Sequence, residues 1–178
     1  MDTINAIRTR TSYRGKYKNI SVPRNDLIKI VESGLAAPSG CNKQTTSLIV
    51  IDDKDILDKI RSVIIHPIGK TAPAVICVLT QKIYAYRDKC YNIQDYSAAI
   101  ENMLLACIAL GYQSCWIEGH ITDSDNIGKQ ISKILNVPDE YELICLLPIG
   151  IAAESTTNVK KKSLINRYWF NCFNQISN

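Results

Sequence analysis

The spacing of apolar residues divides the chain into helical and extended segments. Apolar residues three or four positions apart predict amphipathic helices, and short, nearly continuous apolar runs predict buried strands. Asn25 and Thr122 are candidate N-caps of the second and the fifth helix, because such side chains accept from backbone N–H groups. The predicted strands cover residues 47–52, 73–80 and 141–152, with a shorter extended piece at 114–119. The predicted helices cover residues 2–10, 26–37, 54–64, 94–111 and 122–135.

The fourth predicted helix stands out, since every residue from Met103 to Leu110 is apolar. A helix that is apolar on all sides is expected to be buried on all sides. The other helices and the strands alternate around it, which predicts an α+β or α/β fold in three layers. Residues 82–92 are polar and aromatic, and we interpret them as an irregular crossing or a lid.

Length and composition favour a single soluble domain. At 178 residues, of which 46% are apolar, the chain is long enough for one domain, residues 1–178. The net charge is only +4, which gives no reason to expect nucleic acid as a partner. The N-terminus lacks the apolar run of a signal peptide, and no apolar run approaches the length of a membrane span. We therefore expect a cytoplasmic protein that binds no membrane.

The reactive residue types give few candidates for catalysis. The seven cysteines form no Cys-x-x-Cys motif and several lie in apolar runs, so we interpret them as mainly core residues in a reducing compartment. With only two histidines, a zinc site is not expected, and we predict no bound metal. The sequence has neither a dinucleotide-binding nor a P-loop glycine motif. A bound cofactor is therefore expected to carry any chemistry.

A polar joint, APSGCNKQ, connects the second predicted helix to the first strand. Pro38 and Gly40 suffice to end the helix and redirect the chain. Ser39, Asn42 and Gln44 add uncharged donors and acceptors, which suit a planar ligand edged with carbonyl and N–H groups. The alternative is an ordinary solvated loop.

Two basic patches and one glycine complete the set of candidate binding groups. Arg10, Ser12 and Arg14 alternate after the first helix, and alternate side chains of an extended chain point the same way. Two guanidinium groups and a hydroxyl suit a phosphate and its sugar, although a solvated basic loop is the alternative. Glu118 and Gly119 follow an extended piece, where glycine lets a backbone N–H approach a ligand edge. The second patch is a lysine run, which is usually a solvated face, at Lys160, Lys161 and Lys162.

The order of these segments resembles that of the FMN-dependent nitroreductase family. RTSYR, from Arg10 to Arg14, resembles the family's Arg-Arg-Ser-x-Arg phosphate motif, with Thr11 in place of the second basic residue. APSGCNKQ resembles its Ala-Pro-Ser-x-x-Asn-x-Gln motif. DYSAAIENMLLACIALGYQSCWIEG resembles its central helix and flavin-contacting turn. LPIGIAAE resembles its last core strand, and the lysine run its C-terminal phosphate contact.

The resemblance implies an α+β fold in three layers, with a central sheet, helices on both sides and a buried central helix. It implies FMN as cofactor, NAD(P)H as co-substrate, and a nitroaromatic, a quinone or a similar flat small molecule as acceptor. The flavin carries the chemistry, so no catalytic side chain is expected. A homodimer with FMN at its interface is also implied, with residues 155–178 extending onto the partner subunit. The implied cofactor-binding residues are Arg10, Thr11, Ser12, Arg14, Pro38, Ser39, Gly40, Asn42, Gln44, Glu118, Gly119, Lys160, Lys161 and Lys162.

Some positions depart from the family pattern. Thr45 and Thr46 stand where the family usually has Pro-Trp, and His120 stands where an aromatic or apolar residue is common. Lysine replaces the C-terminal arginine, and residues 81–94 are the candidate cover over the substrate. Two other functions remain open at this point: a flavin-binding carrier or sensor without turnover, and a thiol-redox protein suggested by the cysteines.

Overall fold

The computed structural model describes residues 2–156, 159–165 and 167–173. Its strands are β1 (Thr46–Ile51), β2 (Ala74–Thr80) and β3 (Glu142–Ile149). Single turns of 3-10 helix lie at Gly40–Asn42 and Tyr86–Asp88. The helices are α1 (Thr3–Thr9), α2 (Arg24–Leu35), α3 (Lys54–Val63), α4 (Asn92–Ala109) and α5 (Ile127–Ile134).

The three strands form one antiparallel sheet in the order β1-β2-β3. Val78 of β2 lies opposite Leu48 of β1 on one side and Cys145 of β3 on the other. Beyond β3, Ile117 pairs with Leu146, so the extended piece predicted at 114–119 lies along the free edge of that strand. An antiparallel sheet needs no crossover helix between its strands, and this separates the α+β class from the α/β alternative.

Helices cover both faces of the sheet, as predicted. Alternate residues of a strand point to opposite faces, and β2 is buried at every position. Ile76 and Val78 belong to a core with residues of α2 and α4. Cys77 and Leu79 belong to a second core with residues of α3 and α5. The three-layer prediction is therefore confirmed.

Helix α4 is central, but its own chain does not enclose it. Met103, Leu104 and Cys107 are buried against the sheet and α2. The residues on the other side of the same stretch are half-buried, and Ala109 is exposed. The apolar pattern of this helix therefore provides more apolar surface than one chain covers.

The two predicted helix caps are wrong. Helix α2 begins at Arg24 after Pro23, which makes no side-chain cap, so Asn25 lies inside the first turn. Helix α5 begins at Ile127 after Asn126, whose φ is +55°. Thr122 lies in the preceding turn, where its hydroxyl donates to the Glu118 carbonyl at 3.4 Å. Short polar side chains form such local bonds readily, and here they keep residues 120–126 out of the helix.

The described chain after the sheet is largely exposed and carries several large apolar side chains. The described residues from 159 to 173 contain neither helix nor strand. Within them the ring centroid of Trp169 lies 4.1 Å from that of Phe173. Residues 157–158, 166 and 174–178 of the predicted extension lie outside the described residues. The exposed large apolar side chains of this stretch are Val159, Leu164, Ile165, Tyr168, Phe170 and Phe173.

Among the helices of the described chain, none is both long and apolar enough to cross a membrane.

Replacing Gly128 by alanine tests the contact between α5 and the sheet. A Cβ at this position would lie 2.9 Å from the carbonyl oxygens of Ile121 and Leu143. Backbone cannot move aside easily, so we expect Gly128→Ala to lower the free energy of unfolding by about 1–3 kcal/mol in urea titration. Lys133→Ala, at an exposed site of the same helix, is the control and should change it by less than about 0.5 kcal/mol. A stabilised Gly128→Ala variant would contradict the close contact.

Candidate functional site

The basic segment after α1 lies beside the extended piece that follows α4. The Tyr13 N–H donates to the Ser114 carbonyl at 2.9 Å, which aligns the two stretches. Burial raises the pKa of the neighbouring Cys115 thiol, whereas the charge of Arg14, a hydrogen bond with Ser12 and the charge of Arg10 lower it. Arg10, Ser12 and Arg14 thus all lie near enough to Cys115 to influence its thiol.

Arg10 is held by an ion pair with a residue of α4. Its Nε lies 3.2 Å from Glu101 Oε1 on α4, and this Nε is buried. The N–H is not aligned for a hydrogen bond, so the contact is one between charges. The Arg10 side chain is only 21% exposed, while Arg14 is exposed and Thr11 is half-buried. A partly desolvated guanidinium beside a hydroxyl and a second cation suits a phosphate group.

At the Glu118–Gly119 turn, the Glu118 carboxylate accepts hydrogen bonds, whereas the two backbone N–H groups donate none within the described chain. Glu118 accepts from Trp116 Nε1 at 2.7 Å through Oε2 and from the Tyr96 hydroxyl at 3.2 Å through Oε1. Its carbonyl accepts from the Ile121 N–H at 2.8 Å. In the described chain, neither the Glu118 nor the Gly119 N–H has an acceptor. Two backbone donors are thus available to a ligand at this turn.

The polar joint is fastened to α4 by a buried carboxylate. Asp95 accepts from the Gly40 N–H and from the Thr45 hydroxyl, both at 2.8 Å. Asp95 and Thr45 are 3% and 2% exposed. The hydroxyl of Thr45 therefore makes a contact that a proline at this position could not make.

The joint also has a strained backbone. Cys41, Asn42 and Gln44 have φ values of +50°, +56° and +49°. Asparagine tolerates this region, but cysteine and glutamine adopt it rarely, and such strain concentrates at functional sites. The Ser39 hydroxyl accepts from the Gln44 N–H at 3.0 Å and so closes the loop on itself. Asn42 and Gln44 are exposed, and the Gln44 Nε2 group donates to the Asn42 carbonyl at 3.5 Å.

Residues 81–94 reach this joint at Tyr91. A Cβ on Gly40 would lie 2.6 Å from the Tyr91 Cβ, so the position has no room for a larger residue. The segment turns back on itself, because Tyr84 pairs with Cys90 and the Ala85 N–H donates to the Lys89 carbonyl at 2.9 Å. It is therefore a short hairpin-like excursion beside the joint.

The two histidines lie together at the end of the glycine turn. The rings of His66 and His120 stack with centroids 5.2 Å apart and planes 22° apart. The His120 Nε2 atom is buried and has no partner in the described chain. Burial and the neighbouring His66 lower the pKa of His120. No cluster of three or more His, Cys, Asp or Glu side chains suited to a metal occurs among the described residues.

Comparison with known proteins identifies the family. The model of the nitroreductase family matches residues 7–67 and 61–151. The chain belongs to the nitroreductase family. A Methanothermobacter thermautotrophicus protein with the provisional name NADH dehydrogenase/NAD(P)H nitroreductase is 31% identical over 87% of this chain and 80% of its own length.

Solved structures of nitroreductases agree with the fold. An FMN-dependent nitroreductase from Clostridium difficile R20291 is 29% identical, with a TM-score of 0.77 over 96% of this chain and 99% of its own. A Bacteroides fragilis nitroreductase with bound FMN has a TM-score of 0.77 at 22% identity and covers 96% of this chain and 98% of its own. At 22% identity, the similarity to the Bacteroides fragilis protein is evidence for a shared fold only.

In this member of the family, the predicted site residues fall into separate groups. Arg10, Ser12 and Arg14 lie with the segment that leads to Glu118, whereas residues 38–44 lie against the first turn of α4. No hydrogen bond or ion pair in the described chain joins those three side chains to the joint. The lysine run at 160–162 is exposed and makes no ion pair with a described residue. Neighbouring residues of α4, Asp95 and Tyr96, provide the connection between the two groups.

Four residues that position the site were not assigned roles from the sequence. A buried aspartate at the start of an apolar helix is a signal that sequence reasoning could have used, because an unpaired buried carboxylate is costly. The other three are aromatic and resemble ordinary core residues. The four are Tyr91, Asp95, Tyr96 and Trp116.

A separate cavity lies away from these two groups. It measures about 750 Å³ and lies between α5 and the start of β3. Its wall mixes lysines with acidic residues, and Lys82 and Glu142 pair there at 3.4 Å. It contains none of the predicted site residues. We place the candidate site at the two groups described above, where donors without acceptors and a strained loop occur.

Removing the Asp95 carboxylate tests how the joint is held. Asp95→Ala leaves the Gly40 N–H and the buried Thr45 hydroxyl without an acceptor. We therefore expect it to lower the free energy of unfolding, measured by urea titration, by about 2–4 kcal/mol. Asp58→Ala is the matched control, since Asp58 also contacts two donors but lies on an exposed face of α3. It should cost about 1 kcal/mol or less. Equal losses in the two variants would contradict the role of Asp95.

Proposed function

We propose that the protein is an FMN-dependent oxidoreductase that passes electrons from NAD(P)H to a small flat acceptor, such as a nitroaromatic compound or a quinone. The observation that carries this proposal is the segment from Ser114 to Gly119. Its first part lies among Arg10, Ser12 and Arg14, and its last part presents two backbone N–H groups without acceptors. The names of the Methanothermobacter and Clostridium relatives support the same reaction class.

The chemistry of these donors fits FMN. Two guanidinium groups and a hydroxyl match the phosphate, and two backbone N–H groups match the acceptor atoms at the edge of the ring. FMN supplies two-electron chemistry when it is bound. The work of the chain is to bind the phosphate, orient the ring and donate hydrogen bonds to it. Such a site needs no acidic or nucleophilic side chain.

A second copy of the chain completes the site in this proposal. The cavity at Pro38, Ser39 and Gln44 measures about 160 Å³, which is smaller than the roughly 300–1,000 Å³ of typical cofactor sites. One face of α4 and the aromatic tail are uncovered in the single chain. A homodimer in which residues 155–178 extend onto the partner would cover both. The lysines at 160–162 would then add positive charge to the phosphate site.

The hairpin-like excursion at 81–94 is the proposed cover over the acceptor. Tyr91 fixes its base against the joint. Its turn presents Tyr84 and Tyr86, which are 67% and 55% exposed. Exposed aromatic side chains next to a binding loop suit a flat substrate, which they can contact face to face.

Replacing Arg10 tests the phosphate site. We expect the purified protein to carry about one FMN per chain, and Arg10→Ala to weaken FMN binding about ten- to a hundredfold, because one charge-assisted contact is lost. Arg8→Ala, an exposed arginine in the last turn of α1, is the matched control. Quenching of flavin fluorescence measures both affinities. Equal FMN affinity in the two variants would show that Arg10 does not bind the phosphate.

Turnover separates the proposed enzyme from the other two functions. Anaerobic NADH or NADPH should bleach the absorbance of the bound flavin, and a flat acceptor should restore it. A protein that holds FMN but is not bleached would be a carrier or sensor. Loss of turnover in Cys41→Ser with FMN still bound would favour thiol chemistry at the exposed cysteine of the joint.

The dimer is tested by its concentration dependence. When folding and association are coupled, the melting temperature rises with protein concentration, and we expect this here. Deleting residues 167–178 should weaken the dimer and release FMN together, because both depend on the tail. Sedimentation and flavin absorbance of the truncated protein measure the two effects. A truncated chain that stays dimeric and yellow would contradict this role of the tail.

A further inference from the structure

We infer that Tyr96 and Trp116 position the Glu118–Gly119 turn for the flavin by holding the Glu118 carboxylate. This inference rests on the proposed function, since the turn has a ligand only if the protein binds FMN. It assigns a task to three side chains that themselves need not touch the cofactor. We call the three side chains, Tyr96, Trp116 and Glu118, the carboxylate clamp.

The geometry of the carboxylate clamp uses both oxygens of Glu118. Trp116 Nε1 donates to Oε2 at 2.7 Å, and the Tyr96 hydroxyl donates to Oε1 at 3.2 Å. Tyr96 is 6% exposed and packs in the core between the sheet and α4. Two donors on two oxygens fix both the direction of the side chain and its rotation. The carboxylate is therefore directed into the protein, away from the role of a mobile acid or base.

The chemistry of the donors fixes the direction of these bonds. An indole N–H can only donate. Burial, the charge of Glu118 and the hydrogen bond to it raise the pKa of Tyr96 to about 12, so its hydroxyl keeps its proton at neutral pH. Both neighbours thus present a proton to the side chain of Glu118. The clamp has a single hydrogen-bond arrangement near neutral pH.

The backbone of the turn needs this support because pairing with the sheet ends just before it. Ile117 exchanges backbone hydrogen bonds with Leu146 at 3.1 and 2.9 Å. The next two N–H groups have no acceptor in the described chain, and a Cβ on Gly119 would meet no atom within 4 Å. Donors that recognise a ligand must be held to within about 0.5 Å of their working positions. The side chain of Glu118 supplies a constraint that its own N–H cannot.

The clamp also connects the two groups of site residues. Tyr96 follows Asp95, which holds Gly40 and Thr45 of the joint. One turn of α4 therefore fastens the polar joint with one residue and the glycine turn with the next. Movement of this end of α4 would displace both sets of binding groups together.

Two matched tyrosine variants test the inference. Tyr96→Phe and Tyr112→Phe each remove one hydrogen bond from a buried tyrosine to a carboxylate, since Tyr112 donates to Asp26 at 2.9 Å and is 8% exposed. Their effects on folding stability should be similar. We expect only Tyr96→Phe to weaken FMN binding, by about three- to tenfold. It should also shift the ring-nitrogen resonances of bound ¹⁵N-labelled FMN, whereas Tyr112→Phe should leave them unchanged.

Hydrogen exchange provides a readout that needs no flavin. In FMN-free protein, exchange of the Ile121 N–H, which donates to the Glu118 carbonyl, should be faster in Tyr96→Phe and in Glu118→Ala than in Tyr112→Phe. Glu118→Gln keeps one acceptor for Trp116, so its FMN affinity should lie between those of the wild type and Glu118→Ala. Partial recovery of FMN affinity in Glu118→Gln would show that the hydrogen bond to Trp116 matters and that the negative charge is not required.

The possible outcomes distinguish a failure of the proposed function from a failure of this inference alone. A wild-type protein that binds no FMN overturns the proposed function and this inference with it. If the wild-type protein binds FMN, and Tyr96→Phe and Tyr112→Phe have equal FMN affinities and equal ring-nitrogen resonances, the inference alone is overturned. Faster exchange in Tyr96→Phe without any change in FMN binding also overturns it, because the clamp would then serve stability only.

Discussion

Strand β2 is buried at every residue, and this constraint determines the architecture around it. A strand with no solvent-facing side needs a layer of helices on each face and a neighbouring strand on each edge. The helices α2 and α4 satisfy one face, and α3 and α5 satisfy the other. The edges are covered by β1 and β3.

Helix α4 transmits that rigidity to the candidate site. Its middle is held by the sheet and by α2, where a Cβ on Gly34 would lie 2.7 Å from the Met103 side chain. Its first turn then carries Asp95 and Tyr96, whose polar groups contact two loops that have few backbone partners of their own. A site on loops gains precision when its supporting side chains belong to a packed helix. The same helix therefore belongs to the core and supports the candidate site.

Sequence-based predictions agree best with the structure for features that depend only on residues close together in the chain. The strand at 73–80 and the helix at 54–64 were predicted to within a residue or so, because their apolar period is written in consecutive positions. Thr122 failed as a cap because Asp123 and Asn126 bind nearby backbone groups and delay the helix. The expectation that Arg10, Ser12 and Arg14 point the same way rests on alternation in an extended segment, and it stays a prediction.

The sequence by itself determined the family, the class of fold and the residue types that suit a phosphate and a planar ring. Those properties depend on period, composition and short motifs, which are read along the chain. Only the tertiary structure decided that Asp95 holds Gly40 and that Tyr96 holds Glu118, pairs separated by 55 and 22 positions. It also decided that the strained joint and the basic cluster lie at different places on α4. The physical reason is that hydrogen bonds between distant residues depend on how elements pack, and no local pattern records that packing.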